Sequence, residues 1–164
     1  MSDALEVGGI FYRLAGKDKP AVLRSVVEVL RLPDKVDREF LLQVLLAREA
    51  LESTAIGDGI AIPHVRNPIV LHVPQPVVTL CFLEAPVAFG ALDGQPVQTL
   101  FTLISPTVKA HLHLLSRLAF ALRNPDFKAL IVRQASRDEI LAAVKKISDG
   151  LRASSASTKK EAAR

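Results

Sequence analysis

Two nearly continuous apolar runs, rich in β-branched residues, constrain the fold of this chain more than any other feature. The first covers residues 76–83 and the second residues 97–104. A half-exposed strand alternates apolar and polar residues, whereas a strand buried on both faces is apolar throughout. The two runs therefore predict the centre of a β-sheet that is covered on both faces. The single cysteine, Cys81, lies inside the first run and is interpreted as a buried strand residue.

Segments with helical periodicity surround these strands. In the first of them, Val22, Val26, Val29 and Leu30 fall on one side, as an amphipathic helix requires. The predicted helices cover residues 21–32, 37 to 48 or slightly beyond, 108–123, 126–133 and 137–149. Strands that alternate with helices indicate one α/β domain whose mostly buried sheet is covered by helices. The order of the strands does not follow from the sequence.

Length and charge distribution limit the classes of function. A chain of 164 residues with a net charge of +4 is expected to form one domain, here over residues 1–150. Residues 151–164 are rich in Ser and Ala, carry much of the excess positive charge and are predicted to be a disordered basic tail. Since basic and aromatic residues are not interleaved on the predicted domain, no nucleic-acid partner is predicted.

The sequence also bears on localisation. The N-terminus has neither the basic start nor the apolar core of a signal peptide. No stretch approaches the roughly 20 apolar residues of a membrane span. A lone thiol fits a reduced compartment. We therefore expect a cytoplasmic protein without direct membrane insertion.

His64 is the first residue with candidate chemistry. It ends the segment GDGIAIPH, where Pro63 restricts the backbone and Gly57 and Gly59 let backbone amides approach an anion. A stiffly held imidazole beside such a turn suits a nucleophilic histidine. A histidine at a strand end with ordinary hydrogen bonds is the alternative, and short motifs alone do not decide between the two.

His111, His113 and Arg48 are further candidates, each with a structural alternative. His111 and His113 lie about 200° apart on a helix, so His111 is predicted to be buried and His113 to face solvent with Arg117. A buried His111 near a helix N-terminus could steady an anion or could be a core histidine bonded to a carbonyl. Arg48 is predicted beside the buried stripe of its helix, where it needs an anion or a carboxylate such as Asp58.

The chain resembles a known family over residues 4–148. The segment AREALESTAIGDGIAIPH is similar to the signature of the fructose/mannitol/nitrogen class of phosphotransferase-system enzyme IIA. The blocks APVAFGALDGQPVQTLFTLISP and KAHLHLLSRLA follow in the family's order and spacing. Three ordered blocks make this resemblance specific. It implies a single-domain α/β sandwich with a mixed central sheet flanked by helices.

The resemblance also assigns roles to residues. It implies that His64 is the phosphoryl acceptor, through its Nε2 nitrogen, and that His111 stabilises the phosphoryl group. Arg48 corresponds to the family's charge-stabilising arginine, and Ser53 and Thr54 to the pair of hydroxyl residues in its phosphoryl-binding loop. No cofactor and no metal site are predicted, because these groups can balance the phosphoryl charge.

The function implied is that of a phosphocarrier supplied by an HPr-type phosphohistidine carrier protein. The main hypothesis is a nitrogen-class regulatory enzyme IIA that binds target proteins according to its phosphorylation state. A sugar-specific enzyme IIA that passes the phosphoryl group to an enzyme IIB, and an inactive binding module of the same fold, are the alternatives. Homodimer formation stays open. The segment Val65-Arg66-Asn67-Pro68 departs from the family pattern and is expected to reshape the pocket rim.

Overall fold

A computed structural model describes residues 1–65, 67 and 71–161 of the chain. Helices and strands alternate along it, as the apolar runs and helical segments predict. The strands described are β1 (Ile10–Leu14), β2 (Ala55–Gly57), β3 (Ile60–Ala61), β4 (Val77–Val87) and β5 (Val97–Ile104). The helices described are α1 (Ser2–Gly8), α2 (Lys19–Val29), α3 (Arg38–Leu51), α4 (Val108–Leu122), α5 (Pro125–Val132) and α6 (Arg137–Glu161).

The strands form one mixed sheet in the order β1-β4-β5-β3-β2. β4 and β5 pair antiparallel at the centre, and β1 joins β4 in parallel. On the other side β3 pairs parallel with β5, and the short β2 pairs antiparallel with β3. The predicted α/β sandwich with a mixed central sheet is therefore confirmed.

Two hydrophobic clusters lie on opposite faces of this sheet. One cluster joins α2 and α3 to side chains such as Cys81 and Leu100, and the other joins α1, α4, α5 and α6 to side chains such as Phe82 and Phe101. Adjacent residues of β4 and β5 thus contribute to different cores, as successive strand side chains must. This double burial explains why both strands are apolar throughout.

Local signals account for most helix ends. The Asp37 side chain accepts a hydrogen bond from the Phe40 amide and caps α3, as predicted. Asn124 caps α5 in the same way through the Phe127 amide, and α4 ends just before it at Leu122. β4 continues to Val87, four residues beyond the predicted run, because its last residues include exposed positions that the apolar pattern does not reveal.

The N-terminal α1 and β1 were not predicted. α1 has seven residues, too few for a clear helical period, and β1 is an edge strand with a partly exposed pattern. Gly8 is the informative residue here: a Cβ at this position would lie 2.1 Å from the Val78 carbonyl oxygen. Only glycine permits this approach of α1 to β4.

The last helix is longer than its predicted range of residues 137–149. α6 runs to Glu161 and so enters the segment for which a disordered tail is predicted. That segment contains no proline and several good helix formers. The domain boundary at residue 150 stays a prediction.

Candidate functional site

The backbone at His64 is fixed by the central sheet. β3 ends at Ala61, and three residues later His64 forms an isolated parallel bridge with Leu103 of β5. The Leu103 amide donates a hydrogen bond to the Pro63 carbonyl at 3.0 Å. The half-buried imidazole therefore projects from a segment that the sheet and the proline both restrain.

Both ring nitrogens of His64 have partners, and these partners define the tautomer. Nδ1 lies 2.8 Å from the Ile62 carbonyl oxygen, which can only accept. Arg48 Nε–H donates to His64 Nε2 at 3.2 Å, and arginine stays protonated in proteins. The proton must therefore reside on Nδ1, and Nε2 carries a lone pair. A histidine held in this way presents Nε2 as its nucleophilic nitrogen.

The surroundings keep the His64 ring neutral. Burial lowers the pKa of His64, and the positive charge of Arg48 acts in the same direction. The hydrogen bond to the Ile62 carbonyl and the carboxylate of Glu49 partly oppose this lowering. Since an ordinary histidine has a pKa of about 6.5, the ring is unprotonated at neutral pH and Nε2 can act as a nucleophile.

Arg48 lies in the last turn of α3, at the buried edge that its helical position predicts. Its Nη1 donates to the carbonyl of Glu52, the residue that caps α3, at 2.8 Å. Among the described residues it forms no ion pair with a carboxylate. The proposed alternative of a salt bridge to Asp58 is wrong, because Asp58 pairs with Lys128 of α5 at 2.5 Å.

His111 lies beside His64. His111 is 7% exposed, and the centroids of the His64 and His111 rings are 5.1 Å apart with a 40° tilt between the ring planes. Thr107 caps α4 through the Ala110 amide, so His111 is in the first turn of the helix. Burial lowers the pKa of His111, and the nearby His64 and Arg48 lower it further. The ring is thus neutral, and its buried Nδ1 has no hydrogen-bond partner in the described part of the chain.

The prediction that the two α4 histidines face opposite ways is confirmed. His113 is exposed and accepts a hydrogen bond from Arg117 Nε at 3.1 Å, on the solvent side of the helix. The pair therefore cannot bind one metal ion together. Within the residues described, no group of three His, Cys, Asp or Glu side chains could hold a metal.

The hydroxyl protons of Ser53 and Thr54 are donated to groups other than His64. Ser53 Oγ donates to the Phe89 carbonyl at 2.7 Å and accepts from the Ala55 amide, and Thr54 Oγ1 donates to Glu49 at 2.6 Å. These bonds hold the loop between α3 and β2. A direct contact of either hydroxyl with a phosphoryl group stays a prediction.

The glycine-containing turn between β2 and β3 forms a hydrogen bond with a side-chain carboxylate, that of Asp93. Asp58, in left-handed conformation between Gly57 and Gly59, donates its amide proton to the Asp93 carboxylate at 2.8 Å. This bond contributes to the lowered pKa of Asp93. The Asp58 amide of this turn is therefore engaged by Asp93, and an approach of the turn's backbone amides to a phosphoryl group stays a prediction.

The expected pocket rim lies only partly in the described residues. Arg66 and Pro68 are outside them. Val65 is fully buried in the core that contacts α2 and α3. Its assignment to the rim is therefore wrong, because the Val65 side chain takes a core position.

Sequence reasoning missed Glu49. Its side chain is only 4% exposed and forms an ion pair with Lys19 at 3.0 Å. It also accepts hydrogen bonds from the amide and the hydroxyl of Thr54. The available signal was its helical position, since residues 42, 45 and 49 share one face of α3 and a carboxylate on that face must be buried.

None of the helices in the described ranges is both long and apolar enough to cross a membrane.

Residues 4–147 match the family described as "Phosphoenolpyruvate-dependent sugar phosphotransferase system, EIIA 2". A "Nitrogen regulatory protein" from Pseudomonas aeruginosa is 36% identical over 132 residues, which cover 78% of this chain and 83% of that protein. The "PTS system fructose-specific EIIABC component" from Bacillus subtilis is 33% identical over 132 residues, which cover 78% of this chain and 20% of that protein.

Solved structures agree with these relatives. The crystal structure of "Nitrogen Regulatory Protein IIA-Ntr" from Neisseria meningitidis superposes with a TM-score of 0.75 at 28% sequence identity, and covers 87% of this chain and 97% of that one. The family match spans most of the chain and includes every element of the sheet. This chain therefore belongs to the EIIA type 2 family of the phosphoenolpyruvate-dependent sugar phosphotransferase system.

Proposed function

We propose that this chain accepts a phosphoryl group on Nε2 of His64 from an HPr-type phosphohistidine carrier protein. The observation that carries the proposal is the tautomer of His64. Its Nδ1 proton is engaged by the Ile62 carbonyl, so the lone pair of Nε2 faces Arg48 and lies beside His111. The exposed His113 accepts a similar hydrogen bond from Arg117. What distinguishes His64 is that a backbone carbonyl holds its Nδ1 and that its half-buried ring lies beside the buried His111.

The transfer can be written so that charge and atoms balance. The N–P bond of the donor phosphohistidine breaks, its imidazole keeps the electron pair, and the lone pair of His64 Nε2 forms the new N–P bond. Positive charge then grows on the His64 ring, where the Ile62 carbonyl accepts the Nδ1–H hydrogen bond more strongly. Since donor and acceptor are both imidazoles, the protein has mainly to align them and to stabilise the transferred charge.

Arg48 supplies the positive charge that stabilises the phosphoryl group in this proposal. In the unphosphorylated protein its Nε–H occupies the lone pair of His64, so the guanidinium must move from Nε2 to the phosphoryl oxygens during transfer. Its second anchor, the Glu52 carbonyl, keeps the guanidinium next to the site during this movement. The His111 ring lies 5.1 Å from the His64 ring, centroid to centroid, and its neutral N–H can donate to a phosphoryl oxygen. Ser53 and Thr54 act by holding the phosphoryl-binding loop.

The output we propose is regulatory: a cytoplasmic protein that binds target proteins according to its phosphorylation state. The similarity to nitrogen regulatory proteins supports this output. The similarity to a fructose-specific component favours a second candidate, in which His64 passes its phosphoryl group to an enzyme IIB. A fold that binds partners without phosphorylation is the third candidate, and the tautomer of His64 argues against it.

Intact mass after incubation with phosphoenolpyruvate, enzyme I and an HPr-type carrier tests the proposal. We expect one phosphoryl group on the wild type and on His113→Ala, whose ring is on the solvent side of α4. We expect none on His64→Ala. Equal labelling of His64→Ala and wild type would refute the assignment, and an unlabelled wild type would favour the binding module. Adding an enzyme IIB to the labelled protein then separates the regulatory and sugar-transport outputs.

A further inference from the structure

Glu49, next to Arg48 in the chain, carries a buried carboxylate that has no role in the proposed transfer. Glu49 follows Arg48 on α3, and its side chain points into the fold. One oxygen lies 3.0 Å from Lys19 Nζ, the other accepts the Thr54 hydroxyl proton at 2.6 Å, and the Thr54 amide lies 3.1 Å from both. The carboxylate thus joins three segments of the chain: the start of α2, the end of α3 and the loop that follows it.

Two further hydrogen bonds connect this carboxylate to the His64 ring. The Ile62 amide donates to the Thr54 carbonyl at 2.9 Å, and the Ile62 carbonyl accepts the Nδ1 proton of His64 at 2.8 Å. Thr54 is therefore bound to Glu49 by its N–H and to Ile62 by its C=O. The position of the Ile62 carbonyl, and with it the orientation and tautomer of the ring, depends on where Glu49 holds Thr54.

Arg48, the residue before Glu49, constrains Nε2, the other nitrogen of the His64 ring. Arg48, which donates to His64 Nε2, directly precedes Glu49 at the end of α3. A single turn of helix therefore supplies both constraints: the guanidinium on Nε2, and the carboxylate that fixes Nδ1 through Thr54 and Ile62. A purely structural ion pair would need neither this register nor the three bonds to Thr54.

We propose that Glu49 is a positioning residue that holds His64 in the Nδ1–H tautomer and in the orientation required for phosphoryl transfer. This inference rests on the proposed function of His64, which it extends. Glu49 touches neither the phosphoryl group nor the reacting nitrogen. It acts through Thr54 and Ile62, and through the negative charge that it places behind the ring.

The charges around the ring determine the expected effect. Arg48 faces His64 from α3, and its charge disfavours a second positive charge there, whereas the His111 ring that faces it from α4 is neutral. Glu49 is a negative group that raises the pKa of His64 against the effect of Arg48, and Lys19 partly neutralises Glu49 from α2. Removing Glu49 must therefore lower the pKa of His64 further, and removing Lys19 must raise it.

Glu49→Gln tests this inference, because the amide keeps the shape of the side chain and removes the charge. Long-range ¹H–¹⁵N spectra of unphosphorylated protein report the tautomer and the titration of His64. We expect the wild type to show Nδ1–H alone, and Glu49→Gln to show a lower pKa with a share of the Nε2–H tautomer. The transfer rate from the phosphorylated carrier should fall about tenfold, since one aligned hydrogen bond is loosened. Glu28→Gln, exposed on α2, should match the wild type in all three measurements.

Lys19→Met provides a second variant if Glu49→Gln does not fold. Lys19 is partly exposed, and its loss should raise the pKa of His64 while the tautomer stays Nδ1–H. Folded Glu49→Gln with an unchanged tautomer and pKa would overturn the inference, as would a fall of the pKa in Lys19→Met. The spectra are recorded on unphosphorylated protein and therefore test the role of Glu49 alone. Failure of the proposed function would instead appear as a wild type that takes up no phosphoryl group.

Discussion

Replacing Arg48 by methionine removes the guanidinium and keeps most of the apolar stem of the side chain. In the resting protein two hydrogen bonds are lost, at 3.2 Å to His64 Nε2 and at 2.8 Å to the Glu52 carbonyl. During transfer Nη1 stays on the Glu52 carbonyl, and the remaining N–H groups of the guanidinium, on Nε and Nη2, would face phosphoryl oxygens. A hydrogen bond to a charged group contributes about 1.5 to 3 kcal/mol, and the partly exposed position of Arg48 places it at the lower end of that range.

Two such bonds correspond to about 3 kcal/mol of transition-state stabilisation. Since about 1.4 kcal/mol is a factor of ten in rate, we expect Arg48→Met to accept the phosphoryl group about 100-fold more slowly. Arg48→Lys keeps the charge but cannot bond the site and the Glu52 carbonyl with one rigid fork, so we expect a loss of about tenfold. The rate of phosphoryl transfer should therefore decrease in the order wild type, Arg48→Lys, Arg48→Met.

Rapid-quench measurement of phosphoryl transfer from the labelled carrier protein gives these rates at saturating donor. Titration of His64 by NMR provides the control, because loss of the Arg48 charge should raise the pKa of His64 in the Met variant. A Met variant that shows this higher pKa and still transfers within twofold of the wild-type rate would refute the role of Arg48. The guanidinium would then only set the resting charge of the ring.

Three other outcomes follow from the same geometry. His111→Ala should slow transfer about tenfold, because one hydrogen bond to a charged phosphoryl oxygen, about 1.5 kcal/mol, is lost. The same change at the exposed His113 should leave the rate unaltered, and equal rates for both variants would contradict a role for His111. Because His64 and His111 have lowered pKa values in the fold, the unfolded chain binds protons first as the pH falls below about 6.5. The free energy of unfolding, measured in urea, should therefore be constant between about pH 7 and pH 8 and decline below about pH 6.5. An increase on acidification would reverse the sign that burial requires. Phe101→Ala, at a β5 position only 1% exposed, should lower the free energy of unfolding by about 3 to 5 kcal/mol, and a loss below 1 kcal/mol would place that ring outside the core.

The central sheet was predictable because burial on both faces leaves an unambiguous apolar pattern. The runs at β4 and β5 are apolar since neighbouring residues such as Cys81 and Phe82 enter opposite cores. The edge strand β1 and the short α1 carry too little pattern to be recognised. The close approach at Gly8 becomes visible only when Val78 is placed beside it.

The positions of several candidate-site residues could be predicted from the sequence, but the contacts between them could not. Helical spacing places Arg48 at the edge of the buried stripe and His111 in the core, yet the sequence does not show that both meet His64. Nor does it show that Asp58 pairs with Lys128 instead of Arg48. Glu49 was overlooked because its partners, Lys19 and Thr54, come from separate segments and have no spacing signal in common.

The position of phosphorus on the His64 ring decides whether Nε2 is the phosphoryl acceptor. In long-range ¹H–¹⁵N spectra of the phosphorylated protein, coupling to ³¹P identifies the bonded nitrogen, and the other nitrogen reports its proton. We predict phosphorus on Nε2 of His64 and a retained proton on Nδ1, bonded to the Ile62 carbonyl as it is in the free protein. Phosphorus on Nδ1, or on any residue other than His64, would contradict the account.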